Sequence, residues 1–469
     1  MRNALFSVVF LLLIVDAAIS QESKSSVISI NDVTVIDVEN GKAVANQTIL
    51  IKESKILFVG EDAEKPNAQI DKTIDGKGKF AIPGLWDMHI HGFSPKDMTL
   101  FPVNGVVGVR VMWGMPQHHQ WRRQFESGQQ LGPRMLIASA IIDGPKPIWP
   151  GSIVAKDKKT GQQAVEKAVA SKADFAKVYS LLPREAYLAI AEKCKLEKLP
   201  FDGHVPEMVS AFEASEAGQR SMAHLYGLLL SCSSKEEELR KIRSEFVDKN
   251  DGEVRALFGD EAPSITRRAI DSYDANKAKK LFETFKTNGT WHCPTLTVLR
   301  NLAFLTEPEI QNDPNLKYLS PFLKTFSAPK NHRRPKTEQE VKFDRERYQW
   351  NLKLVGEMHA AGVPILAGTD VLNPFCFAGF SLHTELELLV EAGLSPADAL
   401  KTATINPAKF LDKVSEFGSI SKGKAADIVL LTANPLDEIA NTKKIDTVVM
   451  RGKMFDRAKL DELLKSFEN

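Results

Sequence analysis

Gly84-Leu85-Trp86-Asp87-Met88-His89-Ile90-His91 is a short apolar run that closes on two histidines one residue apart. On a β-strand, side chains two apart point to the same face, so this spacing aims two imidazoles at one point. Neutral imidazole is a common metal ligand, and a pair on one strand makes a rigid half-site. Taken alone, a His-x-His is more often surface or core than ligand. Four further segments shift that balance, each a short apolar run with a polar side chain at or near its end. They are Asp174-Phe175-Ala176-Lys177-Val178-Tyr179, Phe201-Asp202-Gly203-His204, Ser221-Met222-Ala223-His224 and Ala367-Gly368-Thr369-Asp370.

Those segments lie within an alternation of apolar strands and helical stretches. The candidate strands are Leu85 to His91, Val106 to Met112, Met135 to Ile142, Phe175 to Tyr179, Phe201 to Val205, Ser221 to Leu225, Trp291 to Leu296 and Pro364 to Asp370. Eight strands interleaved with helices predict an α/β chain folded as a parallel (β/α)8 TIM-like barrel, with its site at the carboxyl ends of the strands. Ahead of the barrel, Val27-Ile28-Ser29-Ile30, Val33-Thr34-Val35-Ile36, Thr48-Ile49-Leu50-Ile51 and Ile56-Leu57-Phe58-Val59 alternate and are β-branched. Similar strands return at Asp427 to Leu431 and Thr447 to Arg451, which predicts a small discontinuous β-sandwich made from both chain ends. The expected division is a signal peptide at 1–20, β-sandwich at 26–83, a hydrolase barrel at 84–412, β-sandwich again at 417–456 and a C-terminal tail at 457–469. Two connections, 233–288 and 307–359, exceed what a minimal barrel needs; their charge runs read as solvated helix faces, part of which can cover the rim.

On these motifs the chain resembles the amidohydrolase superfamily, in its imidazolonepropionase-like and Xaa-Pro dipeptidase-like branch of metal-dependent hydrolases. The resemblance runs from about Ile28 to Met454 and includes Gly418-Ser419-Ile420-Ser421-Lys422-Gly423-Lys424-Ala425-Ala426-Asp427, similar to the return into that family's small β-domain. It implies that His89, His91, Lys177, His204, His224 and Asp370 hold two divalent metal ions, zinc being expected. Lys177 would serve as a carbamate formed with carbon dioxide, since an ammonium cannot ligate a metal. The implied reaction is hydrolysis of a C–N bond in an amide, dipeptide or cyclic amide by a hydroxide shared between the ions, with Asp370 also moving the proton to the leaving amine.

Strand parity places Tyr179 on the side of Lys177 and Tyr226 on the side of His224, and these, with His292, are the candidate substrate contacts. Packing is the stronger reading for Tyr179, and Arg110, Trp113 and His383 read as structural. His204-Val205-Pro206-Glu207 also fits a single-metal deaminase in which Glu207 protonates a heterocycle, although Lys177 argues against it; a catalytically silent binding barrel is the third reading. No Gly-x-Ser-x-Gly elbow is present, so a serine hydrolase is not supported.

The 469 residues carry 61 basic and 60 acidic side chains, a formal charge of +1, which suggests neither nucleic acid nor an anionic membrane as partner. The expected partner is a small molecule or dipeptide, and a homo-oligomer is left open. Arg2 followed by the apolar run Ala4 to Val15 and by Ala18-Ile19-Ser20 reads as a cleaved leader, which predicts a secreted or periplasmic protein without stable membrane association. Cys194, Cys232, Cys293 and Cys376 form no Cys-x-x-Cys pair and read as buried small apolar residues, with a disulfide left open.

Overall fold

The computed structural model describes residues 27–250, 261–327 and 337–468; the leader expected at 1–20 lies outside them. The chain opens with β1 (Val27–Asp37), β2 (Lys42–Lys52), β3 (Lys55–Glu61), β4 (Lys72–Asp75) and β5 (Phe80–Pro83). It continues with β6 (Leu85–Ile90), β7 (Val106–Val111), β8 (Arg134–Asp143), the short β9 (Ile153–Val154), β10 (Phe175–Val178), β11 (Phe201–Gly203), β12 (Ser221–Ala223) and β13 (Trp291–Cys293). The last strands are β14 (Ile428–Leu431), β15 (Ile445–Met450) and β16 (Lys453–Asp456).

β6, β7, β8, β10, β11, β12 and β13 form one parallel sheet in chain order, with β9 beside β8. The segment read from sequence as the eighth strand, Pro364 to Asp370, closes the gap together with Val371 through two isolated parallel bridges, His292 to Ile365 and Ile90 to Val371. The ladder does not continue as regular strand, for two reasons. A Cβ at Gly368 would stand 2.5 Å from the Cys293 sulfur and 2.8 Å from the His89 Cβ, so the backbone here presses inward. Asp370 then takes a left-handed φ of 59°, which turns its carboxylate into the barrel and breaks the strand. The barrel is nonetheless tied shut, since Met88 N donates to Ala367 O at 2.9 Å and Asp370 N to His89 O at 2.8 Å.

The small domain is a single mixed sheet in the order β16-β15-β14-β5-β1-β2-β3, with β4 also on β1. β1 carries it. A register shift between Ile30 and Val33, with Asp32 at a φ of 54°, reverses the strand's parity. Ile28 and Ile30 before the bulge therefore share one apolar cluster with Val33 and Val35 after it. As the sequence predicts, both chain ends contribute, because β14 pairs antiparallel with β5. The expected tail forms a helix, Arg457–Lys465, with Leu460 and Phe467 buried.

The sheet docks on the barrel through Asp427, which accepts from Arg134 Nε at 3.0 Å and from Arg451 N at 2.9 Å, while its carbonyl accepts from Gly84 N. Arg451 in turn donates to Phe125 O and Gly132 O. Trp86 stacks on Phe417 at 4.8 Å between ring centroids. The connection after β12 folds as helices Glu236–Lys249, Glu261–Asp271 and Ala275–Asn288, and the one before residue 364 ends in the long helix Glu338–Ala360. Among the described residues no helix is long and apolar enough to cross a membrane, and all four cysteines are buried and unpaired.

Gly108 of β7 has room for no side chain, because a Cβ there would lie 2.2 Å from the Trp86 ring. Gly108→Ala should therefore push Trp86 off Phe417 and destabilise the fold by about 1–3 kcal/mol, the usual cost of overpacking. Denaturant unfolding measures this as a lower midpoint at similar slope; an unchanged midpoint would contradict the packing described.

Candidate active site

All six residues singled out for metal binding come together at the carboxyl mouth of the barrel. His89 is the last residue but one of β6 and His91 directly follows the strand; Lys177 is in β10; His204 and His224 follow β11 and β12 directly; Asp370 sits on the closing segment. The Asp370 Oδ1 accepts from or contacts both imidazoles of the pair, 2.9 Å from His91 Nε2 and 3.3 Å from His89 Nε2, and Oδ2 is 3.9 Å from His224 Nε2. One ligand atom from each of His89, His224 and Asp370 lies within 4.8 Å of the others. The His204 and His224 rings stand 4.8 Å apart.

Several of these atoms are poorly satisfied within the protein. Nδ1 of His89, Nδ1 of His91 and Nζ of Lys177 are buried with no hydrogen-bond partner, and Nε2 of His89 has only its 3.3 Å contact with Asp370. A buried unpaired polar atom costs roughly 1–3 kcal/mol, and a cluster of them is not retained without a partner. Imidazole lone pairs around a carboxylate fit a divalent cation, so the donor set matches the metal site that the motifs imply.

Electrostatics put the donors in the right protonation state. Burial holds His89 and His204 well below the ordinary imidazole range and lowers His224 to about 4. Burial would raise the Asp370 carboxyl, but His224 and His89 outweigh it and hold it well below the usual value. Burial lowers the Lys177 amine to about 7 despite Asp370. Gly203 makes space for that chain, since a Cβ there would stand 3.1 Å from Lys177 Cδ.

The sequence reading missed the residues that orient the ligands. Thr295 Oγ1 lies 2.7 Å from both Pro294 O and His224 Nδ1, and Ser180 Oγ 2.7 Å from His204 Nδ1. Each hydroxyl engages Nδ1 and so orients its ring with Nε2 left to the site. Below them Asp87 accepts from His89 N, Thr369 N and Thr369 Oγ1, and burial raises its carboxyl to about 7. Glu385 anchors the loop after β13 by accepting from Leu296 N, Thr297 N and Thr297 Oγ1. Asp87 stood in the quoted motif, with the parity of His89; Thr295 and Ser180 are lone hydroxyls with no spacing signal. His224, Leu225, Thr295 and Asp370 all have positive φ, a concentration of backbone strain at this rim.

The substrate candidates divide. Tyr226 lies over both His204 and His224, at 5.1 Å from each ring. Tyr179 stacks on His204 at 3.9 Å, and its hydroxyl accepts from Trp149 Nε1. Both line the cavity. His292 does not reach it: parity on β13 turns Cys293 inward and His292 outward, where it packs on Phe285 of helix Ala275–Asn288 at 4.4 Å. Its burial there lowers it to about 3. Arg110 is a floor residue, donating to Met88 O and Ser221 Oγ and 3.4 Å from Asp202. His383 is likewise structural, held between Thr442 and Asn104. Trp113 instead faces the cavity beside His91. Glu207 borders it but is engaged by Arg243 at 2.7 Å.

Comparison with known proteins agrees with this architecture. Residues 330–455 match the model of the Amidohydrolase family. The chain is 21% identical to 5-methylthioadenosine/S-adenosylhomocysteine deaminase of Thermoanaerobacter pseudethanolicus (strain ATCC 33223 / 39E), over 89% of this chain and 90% of that protein. Among solved structures it resembles bottromycin amidohydrolase, with a TM-score of 0.74 and 22% identity over 94% of this chain and 90% of that one. It also resembles a Xaa-Pro dipeptidase with methionine bound in the active site, with a TM-score of 0.65 and 18% identity over 92% of this chain and all of that one. The family match takes in the closing segment and strands β14 and β15, so residues 330–455 are similar to an amidohydrolase family domain, and the chain as a whole shares the fold of these solved structures.

Proposed function

We propose that this protein hydrolyses the C–N bond of an amide, in a dipeptide, N-acyl amino acid or cyclic amide, with the aid of two divalent ions, zinc being the expected metal. The observation that carries the reading is the cluster of buried, unpartnered donor atoms on His89, His91 and Lys177 around the Asp370 carboxylate. Ions held there by His89, His91, His204, His224 and Asp370 would supply the acidity that makes water a nucleophile near neutral pH and would polarise the acyl oxygen. Lys177 supports a shared site. Burial lowers its amine to about 7, so a large share of it is neutral near that pH, the form that adds carbon dioxide with loss of one proton to give an anionic carbamate bearing two oxygens. Asp370, held ionised, is placed to take the proton from water and return it to the departing amine.

A single-metal deaminase is the second reading, favoured by the name of the relative in Thermoanaerobacter. Against it stands Glu207, whose ion pair with the buried Arg243 ties up the carboxylate that would have to protonate a heterocycle. The leader read at the N-terminus further supports export, with cleavage after Ser20.

Elemental analysis of protein purified without chelators should find about two divalent ions per chain, because the donor set exceeds the four of one tetrahedral site; a stoichiometry near one at full activity would remove the two-ion model. Lys177→Ala should lower activity at least about a hundredfold, with partial rescue by short carboxylic acids, whereas Glu207→Gln should cost far less than the roughly hundredfold or more of a lost general acid. The reverse pattern, with ammonia released from aminated heterocycles, would transfer the protein to the deaminases. N-terminal sequencing of protein from the exporting host should begin at Gln21, and an intact Met1 in the mature protein would refute cleavage.

A further inference from the structure

Two lobes of one cavity meet on Tyr179, His204, His224 and Tyr226. The larger, of about 550 Å³, is walled by Phe93, Trp113 and Trp149, whose rings contact in series at 6.0 and 5.7 Å, with leucines opposite. The smaller, of about 370 Å³, is bordered by charged groups. Helix Glu338–Ala360 presents Asp344, Arg347, Tyr348 and Asn351 to it, and their i, i+3, i+4, i+7 spacing is a single helical face. A face so spaced would ordinarily be apolar.

The two guanidinium groups of this lobe are not equivalent. Arg243 is paired with Glu207, its two terminal nitrogens lying 2.7 Å from the carboxylate and 3.1 Å from the backbone carbonyl, while its Nε is buried without a partner. Arg347 has a looser tie, 3.4 Å from Asp344 on its own helix, and lines the lobe together with Tyr226. The Tyr226 ring in turn lies 5.1 Å from the rings of His204 and His224. A planar five-donor fork in the wall of the lobe that those rings share suits a carboxylate.

We infer that Arg347 binds a substrate carboxylate, so that the site takes amides with an apolar or aromatic group on one side of the scissile bond and a carboxylate on the other. This rests on the amide reading above. The apolar group would fill the aromatic lobe, the amide would cross the imidazoles, and the carboxylate would reach Arg347 beside Tyr226. Arg347 acts here as a specificity residue and takes no part in the proton transfers.

The test uses the metal-loaded full chain and two sulfonamide probes, N-phenylsulfonyl-leucine and its carboxamide, measured by calorimetry. Wild type should bind the acid about 30-fold more tightly than the carboxamide, as expected for a charge-assisted pair. Arg347→Gln should bring that ratio to about one while leaving carboxamide affinity and metal content unchanged, and Arg347→Lys should keep part of it. Equal affinity for the two probes in wild type, binding of neither, or a ratio that survives in Arg347→Gln overturns the inference; the wild-type comparison stands even where a variant fails to fold. A preference lost with Arg347 in a protein that cleaves no N-acyl amino acid would uphold the carboxylate site and sink the amide reading instead. Cleavage of such amides without the preference would do the opposite.

Discussion

The seam between β6 and residues 364–371 sets the rest of the structure. The closing segment has a regular ladder on neither side, and on the β6 side a side chain stands in for it: Asp87 bridges His89 N, Thr369 N and Thr369 Oγ1. Because that carboxyl is fully buried and its own ionisation is opposed, its hydrogen bonds have no competition from water and hold the two backbones in one register. Register is what brings the Asp370 carboxylate to His89 and His91. Had the segment paired as an ordinary strand, Asp370 would lack the left-handed turn that aims it inward.

Around that seam the charge arrangement is layered. Arg110 and Asp202 form a buried pair under the site, the arginine being stacked near Phe175 and Phe410, and the layer above holds the neutral imidazoles and the single carboxylate. The rim then carries aromatic rings and the arginine–carboxylate pairs. Each layer is more accessible to water than the one below, which is the order in which the cost of an unpaired charge falls.

Much of this was legible in the chain. Alternation located the barrel strands, and the His-x-His parity placed both imidazoles correctly because period two is a property of any strand. His292 shows the limit of the same rule: on a three-residue strand one cannot tell from sequence which parity faces inward, and Cys293 holds the inner position. The β1 bulge was invisible for a related reason, since alternation survives on both sides of Asp32 while its phase changes. Thr295 and Ser180 escaped because a hydroxyl that orients a histidine needs proximity in space alone, across Thr295 to His224 and Ser180 to His204, and leaves no spacing to read. The cavity's charged lobe escaped as well. Its arginines come from separate connections, which read as solvated helix faces able in part to cover the rim, with no spacing that brings those side chains together.

The small sheet built from both chain ends has a bearing on how the molecule comes into being. β5 joins β1 early, yet its other edge is completed by β14, where Pro83 meets Ile428. During vectorial synthesis the first strands therefore wait, with a free hydrogen-bonding edge, until the whole barrel has emerged. Contacts of such long sequence separation close late and slowly. The nascent N-terminal sheet is thus the part of this chain most in need of shielding by a holding chaperone, and the last strands act as its latch.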